Sequence, residues 1–130
     1  MLAVDTNVVV RYLTNDDAVQ TARALRLFHT QPILLLQTVL LETEWVLRYR
    51  YGFDRHAILN ALRALAGLPD VHLEDAPVVS QALDWFAGGM DFADALHLAG
   101  SGMASRFATF DRALATSARR LKARDVLLLS

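Results

Sequence analysis

Four acidic residues of this 130-residue sequence stand where a carboxylate could do chemistry: Asp5, Glu42, Asp94 and Asp111. Asp5 closes a short apolar run at the start of the chain, and Asp111 follows another predicted strand. Asp94 lies in the first turn of a predicted helix, and Glu42 lies early in a second one. Because the carboxyl ends of parallel strands meet at one edge of a sheet, we expect the four side chains to face one pocket.

Carboxylates gathered in this way have few physical options. Two like charges about 4 Å apart repel by about 1 kcal/mol in water, and by roughly 4 kcal/mol at an effective dielectric constant of 20. Such a cluster must therefore take up protons or hold a cation. Oxygen ligands favour Mg²⁺ or Mn²⁺, and a divalent ion with bound water suits phosphodiester hydrolysis. The residues thus predict a divalent metal site whose chemistry would suit a nuclease.

Each acidic residue also has a simpler interpretation. Asp91 is predicted to cap a helix, with Asp94 at the third position of a capping box, and Asp111 alone would also be a cap. Glu42 is harder to explain, because helical spacing predicts that it lies beside Val39 on the inner face, where a glutamate needs a partner. Its neighbour Glu44 is predicted to face solvent.

The predicted elements alternate along the chain. Strands are predicted at 2–4, 33–36, 71–73, 106–110 and 126–129. The first helix is predicted at 6–13, with Thr6 or Asn7 as its cap, and a second begins at 16 or 17. Further helices are predicted at 38–51, from Asp54 to about 67, at 75–86, from 91 or 92 to 103, and at 111–123. This order indicates an α/β protein with a parallel sheet covered on both faces, and we expect one domain over residues 1–130.

Composition excludes several classes of protein. The chain has no cysteine, which excludes disulfides, thiolate zinc sites and a cysteine nucleophile. No apolar run is long enough to span a bilayer, and the start MLAVDTN lacks the basic region of a signal peptide, so we expect a soluble, cytoplasmic protein. The net charge of −1 does not indicate nucleic-acid binding. However, sequestering four acids around a cation would leave ten acidic against thirteen basic residues.

Four segments together carry a family resemblance: MLAVDTNVVVRYLTND, TVLLETEWVLR, DFADALHLA and FATFDRALA. They follow one another over essentially the whole chain, which resembles the PIN-domain ribonucleases and specifically the VapC-like toxins of bacterial toxin–antitoxin pairs. The resemblance implies a three-layer α/β/α sandwich with a central parallel sheet, and an endoribonuclease that depends on Mg²⁺ or Mn²⁺. It also implies an RNA substrate, a homodimer and a cognate VapB-like antitoxin as partners.

The resemblance assigns roles to individual residues. Asp5 and Asp94 become direct metal ligands, while Glu42 and Asp111 complete the cluster by binding a second ion, holding metal-bound water or orienting the nucleophile. Three further residues are auxiliary candidates: Asn7 as support for the loop after the first strand, Asp91 beside the cluster, and Thr109 as a hydrogen-bonding partner.

Rival functions make different demands on the sequence. A phospho-accepting receiver domain would have an acidic pair after its first strand and a lysine after a late strand, but Asp5 is single and the only lysine is Lys122. A haloacid-dehalogenase-type phosphatase would have a second aspartate where Asn7 stands. A catalytically silent PIN module that only binds partners is the third alternative, and the intact four-acid set argues against it.

Other polar residues have more than one interpretation. Arg11 could meet a phosphate or form a structural ion pair. The basic and aromatic residues at 48–51 could contact RNA, although a helix end with packing aromatics is favoured. His97, one turn past Asp94, is interpreted as a packed or surface histidine. The basic residues after 118 are predicted to form a solvated helix end: Arg119, Arg120, Lys122 and Arg124.

Overall fold

The computed structural model describes residues 1–130 in two compact units, residues 1–76 and 77–130. Seven helices and five strands alternate along the chain. The α/β class with parallel strands is confirmed, and the strands pair in two ladders, one in each unit. None of the helices is long and apolar enough to cross a membrane.

The first unit contains a three-stranded parallel sheet in the order β1-β2-β3. Its central strand β2 pairs Ile33 with Leu2 of β1 and with Val71 of β3. Ile33 and Leu35 are completely buried, as expected for the middle strand of a covered parallel sheet. The elements of this unit are β1 (Leu2–Ala3), α1 (Thr6–Leu13), α2 (Ala18–Thr30), β2 (Ile33–Leu35), α3 (Gln37–Tyr49), α4 (Arg55–Ala66) and β3 (Val71–Leu73).

The second unit contains the two-stranded parallel sheet β4-β5, in which Phe107 pairs with Val126 and Thr109 with Leu128. Phe86 and Phe92 pack edge to face with ring centroids 5.4 Å apart, and they join two helices of this unit. Its elements are α5 (Ala76–Ala87, which begins at the last residue of the first unit), α6 (Phe92–Gly100), β4 (Phe107–Thr109), α7 (Arg112–Arg120) and β5 (Val126–Leu128).

Helix beginnings follow the expected capping chemistry in most places. Asp17 and Asp54 accept hydrogen bonds from the backbone N–H groups of Gln20 and Ala57, at 3.0 and 2.8 Å. The first helix differs from the expectation, because its cap is Asp5 and not Thr6 or Asn7. The helix predicted to reach residue 103 ends at Gly100, where the backbone of Ser101 leaves helical geometry.

Candidate functional site

Asp5 lies at the β1–α1 connection and is exposed. Its Oδ1 accepts a hydrogen bond of 2.6 Å from the backbone N–H of Thr6, which makes Asp5 the N-cap of α1. This bond orients the carboxylate toward the first turn of α1. The hydrogen-bond partner of the Asp5 carboxylate is therefore a backbone amide.

Glu42 is joined to the same connection by Thr6, for which the sequence had indicated no role at the site. The hydroxyl of Thr6, which is itself buried, donates to Oε1 of Glu42 at 2.9 Å. Thr6 thus serves Asp5 through its backbone and Glu42 through its side chain. The signal in the sequence was a hydroxyl residue directly after the strand-ending Asp5, which had been interpreted only as a helix cap.

The expected orientation of the two glutamates of α3 was wrong. Glu42 is exposed, whereas Glu44 is only 1% exposed. The buried face of α3 runs through Leu40, Thr43, Glu44 and Leu47, which recur at helical spacing. The buried glutamate does have the cation that physics demands: Arg48 of the same helix contacts both carboxylate oxygens of Glu44, at 2.8 and 3.1 Å.

In the second unit, Asp91 and Asp94 share the start of α6. Asp91 is the N-cap, as predicted, and its Oδ2 accepts from the backbone N–H of Asp94 at 3.3 Å. Asp94 occupies the first turn and is half-buried. His97, one turn later, is exposed, which agrees with the interpretation as a surface histidine.

Asp111 lies at the β4–α7 connection, as the sequence predicted. It caps α7, since its Oδ1 accepts from the backbone N–H groups of Ala113 and Leu114 at 2.9 and 3.2 Å. Thr109, the last residue of β4, accepts a 3.0 Å hydrogen bond from the backbone N–H of Asp111 through its hydroxyl. Thr109 therefore orients the chain at Asp111 and does not contact its carboxylate.

The electrostatics of the second unit single out Asp94. Burial raises the pKa of its carboxyl, and the negative charges of Asp91 and Asp111 raise that pKa further, while His97 partly opposes them. Asp91 and Asp111 thus both disfavour the charged form of Asp94. A hard divalent cation bound to these carboxylate oxygens would relieve the repulsion between them.

The remaining candidates lie outside these two sets. Asn7 is exposed on the first turn of α1 and lines a cavity together with Arg11, while the support expected from it at the loop is provided by Asp5 and Thr6. Arg11 forms the structural ion pair, 3.1 Å from Asp16, with Tyr51 bridging the two.

The structure therefore assembles two carboxylate sets, one in each unit. Residues 1–76 contain Asp5 and Glu42 joined by Thr6. Residues 77–130 contain Asp94 in the field of Asp91 and Asp111. Within neither unit do three acidic or histidine side chains come close enough together to hold a metal ion.

Comparison with known proteins identifies the family. No curated protein matches the sequence. Among solved structures, the chain is similar to Mycobacterium tuberculosis VapC20, described as a sarcin-ricin loop cleaving toxin, with 24% identity, a TM-score of 0.45, and coverage of 90% of this chain and 95% of that chain. The model of the PIN domain family matches residues 2–116 and so extends into both units. On the strength of this last match, the chain belongs to the PIN domain family, whose members are nucleases.

Proposed function

We propose that this protein is a metal-dependent endoribonuclease that hydrolyses RNA phosphodiester bonds. The observation that carries the proposal is the match of residues 2–116 to the PIN domain, a family of nucleases, and the pKa of Asp94, raised by burial and by two neighbouring aspartates, supports it. A half-buried carboxylate among like charges is costly unless a cation or a proton compensates it. We also propose that residues 1–130 act as one domain, since the family match extends into both units.

The proposed metal ligands are the four acidic residues found from the sequence. Asp5 and Asp94 would hold Mg²⁺ or Mn²⁺ directly, and Glu42 and Asp111 would complete the set. A divalent ion bound there would neutralise the phosphate charge and lower the pKa of an attacking water. The donor set fits such an ion, because it consists of hard carboxylate oxygens without sulfur or a required histidine.

The chain's own residues would prepare these ligands. Thr6 holds Glu42 through its hydroxyl and Asp5 through its backbone N–H, so one residue sets the orientation of two carboxylates. Asp111 uses only Oδ1 for capping, which leaves Oδ2 for a cation or for water. Asp91 adds negative charge beside Asp94, and Thr109 holds the backbone at Asp111. Partners of this kind commonly orient the ligands of a metal site.

The biological role we propose is that of the toxin in a toxin–antitoxin pair. The support is the resemblance of the four sequence segments to VapC-like toxins. A VapB-like antitoxin and a second copy of the chain would then be the protein partners. A basic side chain of the antitoxin placed against the acidic residues would inhibit the enzyme by supplying the positive charge that the metal otherwise provides.

The test compares the purified wild-type chain with Asp5→Asn and Asp94→Asn on a pool of structured RNAs, in Mg²⁺, in Mn²⁺ and in EDTA. Asp70→Asn is the matched control, because Asp70 is an exposed aspartate outside both carboxylate sets. We expect wild type and the control to cleave only with metal, and the two site variants to lose cleavage. Cleavage in EDTA, or equal cleavage by all four proteins, would contradict the mechanism. Metal-independent RNA binding without cleavage would identify a silent PIN module instead.

A further inference from the structure

A cavity of about 380 Å³ lies between the end of α7 and strand β5, and we call it the α7–β5 cavity. Its apolar lining includes Ala118 and Val126, and its polar lining consists of three cations and one acid: Arg119, Lys122, Arg124 and Asp125. The volume falls in the range of pockets that enclose a small ligand. From the sequence, these basic residues were expected only to form a solvated helix end, whereas three of them line one concave surface.

The cations of the α7–β5 cavity are not neutralised by the protein. No carboxylate lies within ion-pair distance of Arg119, Lys122 or Arg124. Arg124 makes a single long contact of 3.5 Å, from its guanidinium to the carbonyl oxygen of Ala99. The cavity therefore has an excess of positive charge in a chain whose net charge is −1.

Lys122 occupies a backbone position that normally favours glycine. Its φ is +53°, in the left-handed region. The backbone N–H of Lys122 donates to the carbonyl of Arg119, and that of Ala123 donates to the carbonyl of Ala118, which is the Schellman pattern at a helix end. A lysine here is less favourable for folding than glycine. Strained backbone positions of this kind cluster at functional sites, and this one belongs to the lining of the cavity.

We infer that the α7–β5 cavity binds a phosphate-bearing nucleotide of an RNA strand. Guanidinium and ammonium groups would contact the phosphate oxygens, and the apolar lining would accept the face of a base or ribose. An acidic peptide would satisfy the cations but would leave the apolar lining unused. The identification of the strand as RNA rests on the proposed function.

The cationic end of the α7–β5 cavity lies at the opposite end of α7 from Asp111, although Ala115 in its lining follows Asp111 by one turn. Arg119 follows Asp111, the cap of α7, by eight residues, which corresponds to about 12 Å along the helix axis. The α7–β5 cavity would therefore hold the RNA strand away from the bond that is cleaved, and it would affect affinity more than the chemical step.

The test measures RNA affinity separately from cleavage. The full chain carrying Asp94→Asn, in EDTA, is titrated against a fluorescent single-stranded RNA of about 20 nucleotides at several salt concentrations. Lys122→Gly and Arg119→Gln are added singly to this parent. Arg120→Gln is the matched control, because it removes the same charge from the same helix end but from a residue outside the cavity.

We expect Lys122→Gly and Arg119→Gln each to weaken binding about three- to tenfold and to lower the slope of log Kd against log salt by about 0.7. Arg120→Gln should change the affinity less than twofold. The melting temperature of Lys122→Gly should be no lower than that of the parent, which separates lost binding from lost folding.

Three results would overturn the inference. The first is equal affinity for the cavity variants and for Arg120→Gln. The second is displacement of the RNA by poly-glutamate as effectively as by unlabelled RNA of the same charge, which would indicate an acidic protein segment as the ligand. The third is the absence of RNA binding by the parent, which would overturn the proposed function as well. If the variants show the expected changes in RNA affinity but the wild type shows no metal-dependent cleavage, the proposed function alone would be overturned.

Discussion

Replacing Asp94 by Asn should change stability in opposite directions with and without metal. The pKa of Asp94 is raised by burial and by Asp91 and Asp111, so the charged carboxylate destabilises the metal-free fold at neutral pH. Removing a screened like-charge interaction gains about 1 kcal/mol, and losing a charge at a helix N-terminus costs about 0.5 kcal/mol. We therefore expect metal-free Asp94→Asn to be more stable than wild type by about 0.5 kcal/mol, or about 2 °C in Tm.

Metal should reverse this order. A ligand at one hundred times its dissociation constant stabilises the folded state by about 2.7 kcal/mol. If the variant has lost the metal, the wild type should become more stable than Asp94→Asn by about 2 kcal/mol, which corresponds to roughly 8 °C in Tm. The assay is thermal unfolding followed by circular dichroism, in EDTA and in a titration of Mg²⁺, with Asp70→Asn as the control that should respond like the wild type.

The pH dependence gives an independent check of the sign. A carboxyl with a raised pKa binds more protons in the folded than in the unfolded state, so its contribution to stability decreases as pH rises above the unfolded pKa. In EDTA, the advantage of Asp94→Asn should therefore be largest at neutral pH and should shrink as the pH falls toward 4. Equal stabilisation of both proteins by Mg²⁺, or a metal-free variant less stable than wild type at pH 7, would refute the reasoning.

Three further predictions separate structural from catalytic groups. Glu44→Gln should lower the free energy of unfolding in urea by about 1–3 kcal/mol, because it breaks a largely buried ion pair, while Glu42→Gln should change it by less than about 0.5 kcal/mol and abolish RNA cleavage. Thr6→Val should reduce cleavage by roughly tenfold or more with an unchanged fold by circular dichroism, because it removes the hydroxyl that orients Glu42. Tyr51→Phe should raise the pKa of Asp16 toward its ordinary value in an NMR titration, because the hydrogen bond from the Tyr51 hydroxyl is the main cause that lowers it.

Each of these predictions has a contrary outcome. Full RNA cleavage by Glu42→Gln would remove that residue from the proposed metal ligands. Unchanged cleavage by Thr6→Val would show that Glu42 needs no orientation by the threonine. An Asp16 pKa that does not move in Tyr51→Phe would assign its lowering to the Thr14 hydroxyl and to Arg11 instead.

The alternation of strands and helices could be predicted from the sequence because it depends on local patterns. The apolar run at 33–35 is flanked by Pro32 and by the next helix, and it forms a strand in the structure. Asp54 and Asp91 were predicted as caps and accept the backbone hydrogen bonds of caps. The family resemblance followed in the same way, since short segments in a fixed order carry it, and the match over residues 2–116 confirms it.

The orientation of side chains on α3 could not be predicted from spacing alone. Two glutamates two residues apart both lie within reach of apolar neighbours, so the helical pattern permits either to be buried. The buried one is Glu44, because it lies in register with Leu40 and Leu47, and Arg48 one turn later supplies its counter-charge. A buried glutamate does have a cation as its partner, but the two form a structural ion pair and not part of the proposed metal site.

The sequence by itself thus determined the element order, the family and the identities of the acidic residues, because each depends on residue type and local spacing. Only the tertiary structure decided which partners these residues have. It showed that Thr6, next to Asp5, reaches Glu42 across 36 positions of sequence, and that Asp91 and Asp111 act on Asp94. It also showed that basic residues at the end of α7 line a cavity with β5. Such contacts arise where separate elements pack together, and no local pattern of residues encodes them.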